Sequence, residues 1–250
     1  MESLKVKTLS EYLQIVETLK EKWKERELWY RGVGNVAYSL TPTLYRSEYE
    51  IDCKEEYSIF NDFRLKAKLL IPNSQSMERL DWYSVMQHYG LPTRMLDWTT
   101  GSLIALYFAL RDTNAEVDRA VFVLNQSKIN STIHHLDMNY ESGRQQNYKE
   151  LLDKYIPNLK IGEYPIAITP PYIDKRIIAQ KGRFTIHGNL KDSLEDICDK
   201  FCIDIEKIII EDPYVYLIKM QLVEAGITES VLFPDLEGLA REFIFEYVMD

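Results

Sequence analysis

QHYGLPTRMLDWTTGSLIALYFAL, residues 87–110, decides how the chain is read. Its first half crowds His88, Tyr89, Arg94, Asp97 and Trp98 into a dozen positions, and from Ser102 onward it is apolar on every side. A helix that is apolar all round is tolerated only when it is buried all round, so LIALYFAL is the expected central helix. Before it, DWYSVMQHYG reads as a short helix with Gly90 where a left-handed cap is needed, and Pro92 turns the chain into a loop, GLPTRMLDWTTG. The polar cluster then stands at the mouth of the core, beside a helix end whose unpaired N–H groups carry partial positive charge.

Working outward, residues 8–26 place Leu9, Leu13, Val16, Leu19 and Trp23 at helical spacing, with Ser10 as the cap. ELWYRGVGNVAYSLTPTLYR reads as a strand, a tight turn and an extended segment, with Arg31 at the strand's end. Residues 55–71 return to helical periodicity through Tyr57, Phe60, Phe63, Ala67 and Leu70. AVFVLNQ, residues 120–126, is a short β-branched run and reads as a buried strand. YPIAITPP is a strand, DKRIIAQKG a short helix stopped by Gly182, and RFTIHG another strand. DSLEDICDKFCI, EKIIIE, DPYVYLIKMQLVEAGI and PDLEGLAREFIFEY follow as helix, strand, helix, helix. Alternation without tandem repeats predicts a mixed α+β fold, a central and largely antiparallel sheet surrounded by helices. Residues 1–250 read as one domain, with a polar insertion at about 127–163.

Composition limits the chemistry. With 250 residues, 46% of them hydrophobic, the chain can bury a large core. It has no membrane-length apolar run and no leader-like amino terminus, so a cytoplasmic address and no membrane partner are expected. A net charge of −9 opposes non-specific binding to phosphate backbones. Cys53, Cys198 and Cys202 have no zinc spacing; Cys198 and Cys202 share a helix face and read as core, so no metal is predicted. His134 and His135 fall in the insertion and are expected to face solvent. There is no G-x-S-x-G elbow and no H-E-x-x-H pair, and Gly32-Val33-Gly34 is too short for a dinucleotide fingerprint.

Two short blocks hold the candidate site. Arg31 follows Leu28, Trp29 and Tyr30, so its planar fork emerges at the edge of the core as a clamp for phosphate or carboxylate, or as a structural ion pair with Asp97. Arg94 would add a full charge to backbone donors at Thr99, Thr100 and Gly101, with Trp98 or Tyr89 as a stacking face. The other reading pairs Arg94 with Asp97 and plugs the core with Trp98. His88 is a general base or the cap of its own helix. His187 alternates with Thr185 on one face of a strand, which places both toward solvent or a cleft.

WYRG at 29–32, HYGLPTRMLDWT at 88–99, ALYFAL at 105–110, RIIAQKGRFTIHG at 176–188 and LFPDLEGLA at 232–240 together resemble the FRG domain family over about residues 8–245. That family is named for an aromatic, Arg, Gly triplet, here Tyr30, Arg31 and Gly32, and the resemblance implies a bacterial or phage setting; conflict between the two, or defence against phages, is the expected role of the enzyme or sensor readings that follow. A looser likeness, to the ADP-ribosyltransferase fold, implies NAD as substrate and a protein or nucleic acid as acceptor. On that likeness Arg31 and Arg94 grip the pyrophosphate and Tyr89 or Tyr107 stacks on the nicotinamide. Asp97 or Gln180 acts at the ribose with His88 nearby, and Tyr30, Thr93, Trp98, Thr99 and His187 line the pocket. RFTIHG lacks the glutamate such enzymes carry. The alternatives are a nucleotide or nucleic-acid-end sensor without turnover, and a partner-binding domain with an exposed apolar face on LFPDLEGLAREFIF and a closed arginine pocket. Oligomeric state is left open.

Overall fold

The computed structural model describes residues 4–46, 48, 51–71, 74–111, 116–135, 155–156, 162–170 and 175–248. Its framework is one seven-stranded sheet. The strands are β1 (Leu4–Val6), β2 (Trp29–Val33), β3 (Met95–Thr99), β4 (Arg119–Leu124), β5 (Ile166–Ile168), β6 (Gly182–Ile186) and β7 (Ile205–Ile210). They lie in the order β1-β7-β4-β2-β3-β6-β5. Only β1 and β7 run parallel; every other neighbouring pair is antiparallel. The expected mixed α+β class, with a largely antiparallel sheet, is the one found.

The helices are α1 (Leu9–Trp23), α2 (Cys53–Ala67), α3 (Arg79–His88), α4 (Ser102–Ala109), α5 (Gln126–Lys128), α6 (Lys175–Ala179), α7 (Leu194–Phe201), α8 (Val215–Glu224), α9 (Glu229–Leu232) and α10 (Leu236–Val248). The cap of α1 is Thr8, whose side chain accepts from the N–H of Glu11, so the cap lies two residues before the expected Ser10. Asp52 and Glu55 close a reciprocal capping box on α2. Gly90 holds φ +78 after α3, as its position requires. After α6 the left-handed residue is Lys181, φ 48, and Gly182 already belongs to β6.

Side-chain alternation sorts the strands onto two faces. Tyr30, Val121, Val123, Ile208 and Ile210 meet α1, α4 and α8 on one face. On the same face, Met95, Phe184, Ile186, Ile166 and Ile168 meet α2 and α3 as a separate cluster. Trp29, Val33, Leu96, Trp98, Phe122 and Leu124 pack with α7 on the opposite face. Because both faces are covered, all six residues of β4 are buried. The largest departure from expectation is β3. The segment expected as a loop contains a strand near the middle of the sheet, since after the turn at Gly90 and Pro92 the backbone of Met95–Thr99 pairs with β6 along its whole length.

Of the region expected as an insertion, Ile129, Tyr155 and Ile156 are buried in the core, and residues 136–154 and 157–161 lie outside the described residues. His134 is half-buried rather than solvent-facing, with Nε2 2.9 Å from the Pro165 carbonyl, while His135 is exposed. Cys198 is a core residue, but Cys202 is the exposed left-handed cap of α7 and does not share its face.

The central helix α4 crosses β2 at Gly32, where a Cβ would lie 1.9 Å from the Ala105 carbonyl oxygen and 2.5 Å from the Ala109 nitrogen. No side chain fits between two backbones at that separation. Gly32→Ala is therefore expected to cost about 3 kcal/mol or more by forcing α4 off the sheet, a change that denaturant unfolding with tryptophan fluorescence would measure.

Candidate functional site

The two clusters on the α3/α4 face part where β2 meets β3. A single residue pair, Tyr30–Thr99, joins these strands, whereas β2 pairs with β4 at five positions and β3 with β6 at five. Beyond that pair the guanidinium of Arg31 takes the place of a ladder bond, donating to the backbone carbonyl of Asp97 at 2.5 Å. The cleft that opens here has a volume of about 880 Å³. Its rim is built by Ser84, Gln87 and His88 of α3, Phe108 of α4 with Arg111 just beyond, Arg176 and Gln180, and Phe233.

Within the cleft, Arg31 Nη1 stands 3.7 Å from Oδ2 of Asp97, whose carboxylate is 56% exposed. Gln87 Nε2 donates to the same Oδ2 at 2.8 Å. The Thr93 hydroxyl donates to Gln87 Oε1 and thereby fixes which end of the amide faces Asp97. Burial pulls the Arg31 pKa below its ordinary value, Asp97 pulls it back up and Arg46 pulls it down again. Burial pushes the Tyr30 phenol up to about 12. The hydroxyls of Tyr30 and Ser84, both on residues that line the cleft, are buried without a hydrogen-bond partner among the described residues.

The far wall is aromatic and cationic. Phe108 and Phe233 meet edge to face at 5.9 Å. The guanidinium groups of Arg111 and Arg176 lie 4.5 and 5.4 Å from the Phe233 ring centroid. Arg111 is paired with Glu229 at 2.6 Å and Arg176 with Asp235 at 2.7 Å, so both are held in place. Asp97 is the one carboxylate among the described residues lining the cleft, against Arg31, Arg111 and Arg176. The chain as a whole is acidic, but the lining of this partly apolar concavity presents three guanidinium groups, each with a carboxylate partner, beside a wall that suits a flat ring.

Of the residues expected at the site, the structure brings together Tyr30, Arg31, His88, Asp97, Thr99 and Gln180. The Thr99 hydroxyl donates to the Gln180 carbonyl at 2.6 Å, and Gln180 Nε2 donates to the Leu232 carbonyl at 3.1 Å. Thr93 is buried and stands behind Gln87.

The others are corrections. Arg94 is not in the cleft. Its side chain is 1% exposed and its Nε lies 3.0 Å from both oxygens of Glu56, with further bonds to the carbonyls of His187 and Tyr155. Trp98 borders the cleft, but its indole packs on the opposite face and donates to Thr185 at 3.1 Å. Tyr89 is 69% exposed and outside the lining. Tyr107 donates to Glu229 at 2.5 Å and lines a second, smaller cavity. Neither Thr185 nor His187 faces outward: both are fully buried, because the sheet is covered on both faces and alternation leaves no exposed side. The donors expected at the start of α4 are spent internally, Thr100 N–H on the Lys181 carbonyl and Gly101 N–H on the Thr99 hydroxyl.

The expected set omits Gln87, Phe108, Arg111, Arg176 and Phe233. Arg176 opens the quoted block RIIAQKGRFTIHG and Phe233 is the second residue of LFPDLEGLA, so the signal was there in the joint presence of the two blocks. That α6 and the α9–α10 turn close one wall is not readable from either block alone.

Residues 26–118 match the family model of the FRG domain. The matched segment carries β2, α2, α3, β3 and α4, and with them Tyr30, Arg31, Gly32, Gln87, His88, Asp97, Thr99, Phe108 and Arg111. Arg176, Gln180 and Phe233 complete the cleft from beyond the FRG segment. No curated protein and no solved structure matches the chain.

Two consequences are measurable. Removing Arg94 strands the Glu56 carboxylate in a dry interior, so Arg94→Ala should cost about 3–5 kcal/mol in denaturant unfolding. His187 is buried beside Arg94, neither ring nitrogen has a hydrogen-bond partner among the described residues, and burial, then Arg94 and Arg31, lower its pKa to about 3. The unfolded chain takes up that proton near pH 6.5 and the folded chain does not, so this group's contribution is undiminished above pH 6.5 and stability falls as pH drops toward 3. Between pH 6.5 and 5 the expected loss is roughly 2 kcal/mol, and His187→Leu should remove it from urea melts compared at the two pH values.

Proposed function

We propose that the cleft binds NAD and cleaves its nicotinamide–ribose bond, passing ADP-ribose to an acceptor or to water. The observation that carries this reading is the Asp97 carboxylate 3.7 Å from the Arg31 guanidinium, in a cleft whose opposite wall is Phe108, Phe233, Arg111 and Arg176. Arg31 would hold a phosphate by charge-assisted bonds, with Arg111 and Arg176 adding positive potential at the far side. The flat nicotinamide would lie against Phe108 and Phe233.

In the reaction the C1′–N bond breaks and its electron pair neutralises the pyridinium nitrogen. Positive charge develops on the ribose, where the fixed Asp97 carboxylate opposes it. The oxygen of water, or a nucleophilic atom of the acceptor, forms the new bond to C1′ and gives up its proton to Asp97 and then to solvent. Gln87, held by Thr93, orients the carboxylate for this work, and His88 lines the same cleft.

A second reading draws on the same geometry. Asp97 already accepts from Gln87 and sits against Arg31, an arrangement that also serves static recognition of a nucleotide or nucleic-acid end without turnover. Chromatography of NAD over time separates the two. Wild type is expected to consume NAD, Asp97→Asn to lose activity by about a hundredfold or more while melting like wild type, and Arg31→Ala to lose as much activity with a lower melting temperature, because its bond across the seam goes too. No consumption by wild type, alone or with protein and nucleic-acid acceptors, together with calorimetric binding of ADP-ribose that Arg31→Ala abolishes, would sink the transferase and leave the sensor.

A further inference from the structure

The sheet ends at β5, and the outer edge of that strand is already bonded. Among the described residues β5 pairs with β6 alone, which leaves its other side outermost. In an antiparallel pair alternate residues turn their N–H and C=O groups to opposite sides, so the middle residue of β5, Ala167, directs both outward. The side chain of Asn130 meets them. Its Nδ2 donates to the Ala167 carbonyl at 2.8 Å, and its Oδ1 accepts from the Ala167 N–H at 2.9 Å. Two residues earlier, the Pro165 carbonyl accepts from Nε2 of His134 at 2.9 Å, and a proline has no N–H to offer. Asn130 and His134 stand four positions apart on one turn, in which Ile129–Ile133 form a π helix, a rare conformation found mostly where it serves a purpose. The turn is anchored at both ends. Ile129 is fully buried in the core, Ser131 Oγ donates to the Ser127 carbonyl at 3.0 Å, and the His134 ring meets Tyr155 edge to face at 6.0 Å.

The bonding pattern identifies what is kept out. Opposite residues of a hydrogen-bonded antiparallel pair exchange both N–H···O bonds, and the Asn130 amide makes that exchange with Ala167 in the place of a backbone. A two-fold axis beside Ala167 would set the same residue of a second copy there, with the same two bonds. The two Ile-Ala-Ile strands would then match, isoleucines on one face and alanines on the other. An open, apolar edge of this kind is a template for strand pairing, and such pairing requires the turn to leave. We propose that Asn130 and His134 lock the β5 edge against a second copy of this chain, so that a strand-pairing surface is built into the fold and held closed from within. The lock lies outside the cleft and is independent of the chemistry proposed there.

The test compares the full chain with the double variant Asn130→Ala and His134→Ala, by sedimentation velocity over a range of concentrations and by amide exchange. Wild type is expected to stay monomeric, with the Ala167 amide protected throughout. The double variant should pass from monomer to dimer as it is concentrated. Its Ala167 amide should exchange about a hundredfold faster than in wild type when dilute, and regain protection when concentrated. Pairing of like edge with like edge is closed by the two-fold axis, so association through this edge stops at the dimer. Adding Ala167→Pro removes the outward N–H, at a position where an edge strand tolerates proline, and should return the variant to monomer. Asn130→Ser, too short to reach both backbone groups, is a milder variant with the same expectation, so a folding defect in the double variant leaves the test intact. A folded variant that associates no more than wild type, or whose dimer persists with Ala167→Pro, overturns the proposal. So does a wild-type dimer that Ala167→Pro dissolves, because the edge is then open without any change at the lock.

Discussion

A guanidinium without access to water organises one half of this molecule. Arg94 immediately precedes β3, and its bonds run to Glu56 on α2, to the carbonyls of Tyr155 and His187, and through its own N–H to the Tyr83 hydroxyl on α3. Burial opposes its charge, yet Tyr83, Glu56 and Tyr45 together raise its pKa. Five chain segments, between Glu56 and His187, thus meet around one ion pair. Such a pair adds little net stability over a well-packed apolar core, but it admits few alternative arrangements, and here it fixes the register in which β3 meets the helices above it. Asp97 lies three residues further along β3, so its placement in the cleft inherits that register.

The other half of the molecule is organised chiefly by backbone contact, with the buried charges of Arg119 and Glu229 paired at its margins. At Gly32 the backbone of β2 touches the backbone of α4, and the apolar helix packs over β2, β4 and β3. The two halves use different physics and meet along a seam between β2 and β3. Arg31 crosses that seam with a side chain where the sheet has no ladder.

Most of the architecture could be read from the chain because its signals were local. The all-apolar run of α4, the β-branched run of β4 and the turn at Gly90 each depend on a few adjacent residues. β3 was hidden because Pro92 and the polar residues after it look like a loop, and because its pairing depends on β6, more than 80 residues later. The site divides in the same way. Arg31 and Asp97 stand out as charges next to apolar runs. Arg94 looks the same in sequence and ends up sealed, because its burial is decided by Glu56, 38 residues earlier. His187 failed for a related reason: alternation predicts an exposed face only when one face of the sheet is left uncovered, and here neither is.

The single pair Tyr30–Thr99 also bears on how the molecule comes apart. With so few backbone bonds across the seam, the two clusters on that face are held together chiefly by the side chains that meet over it, and these are the side chains that line the cleft. A molecule lodged there touches both clusters and so acts as mortar between them. The opposite face already spans the seam through Trp29, Leu96, Trp98 and Phe122, so occupancy of the cleft would add a second tie on this face and raise the melting temperature of the whole in proportion to affinity.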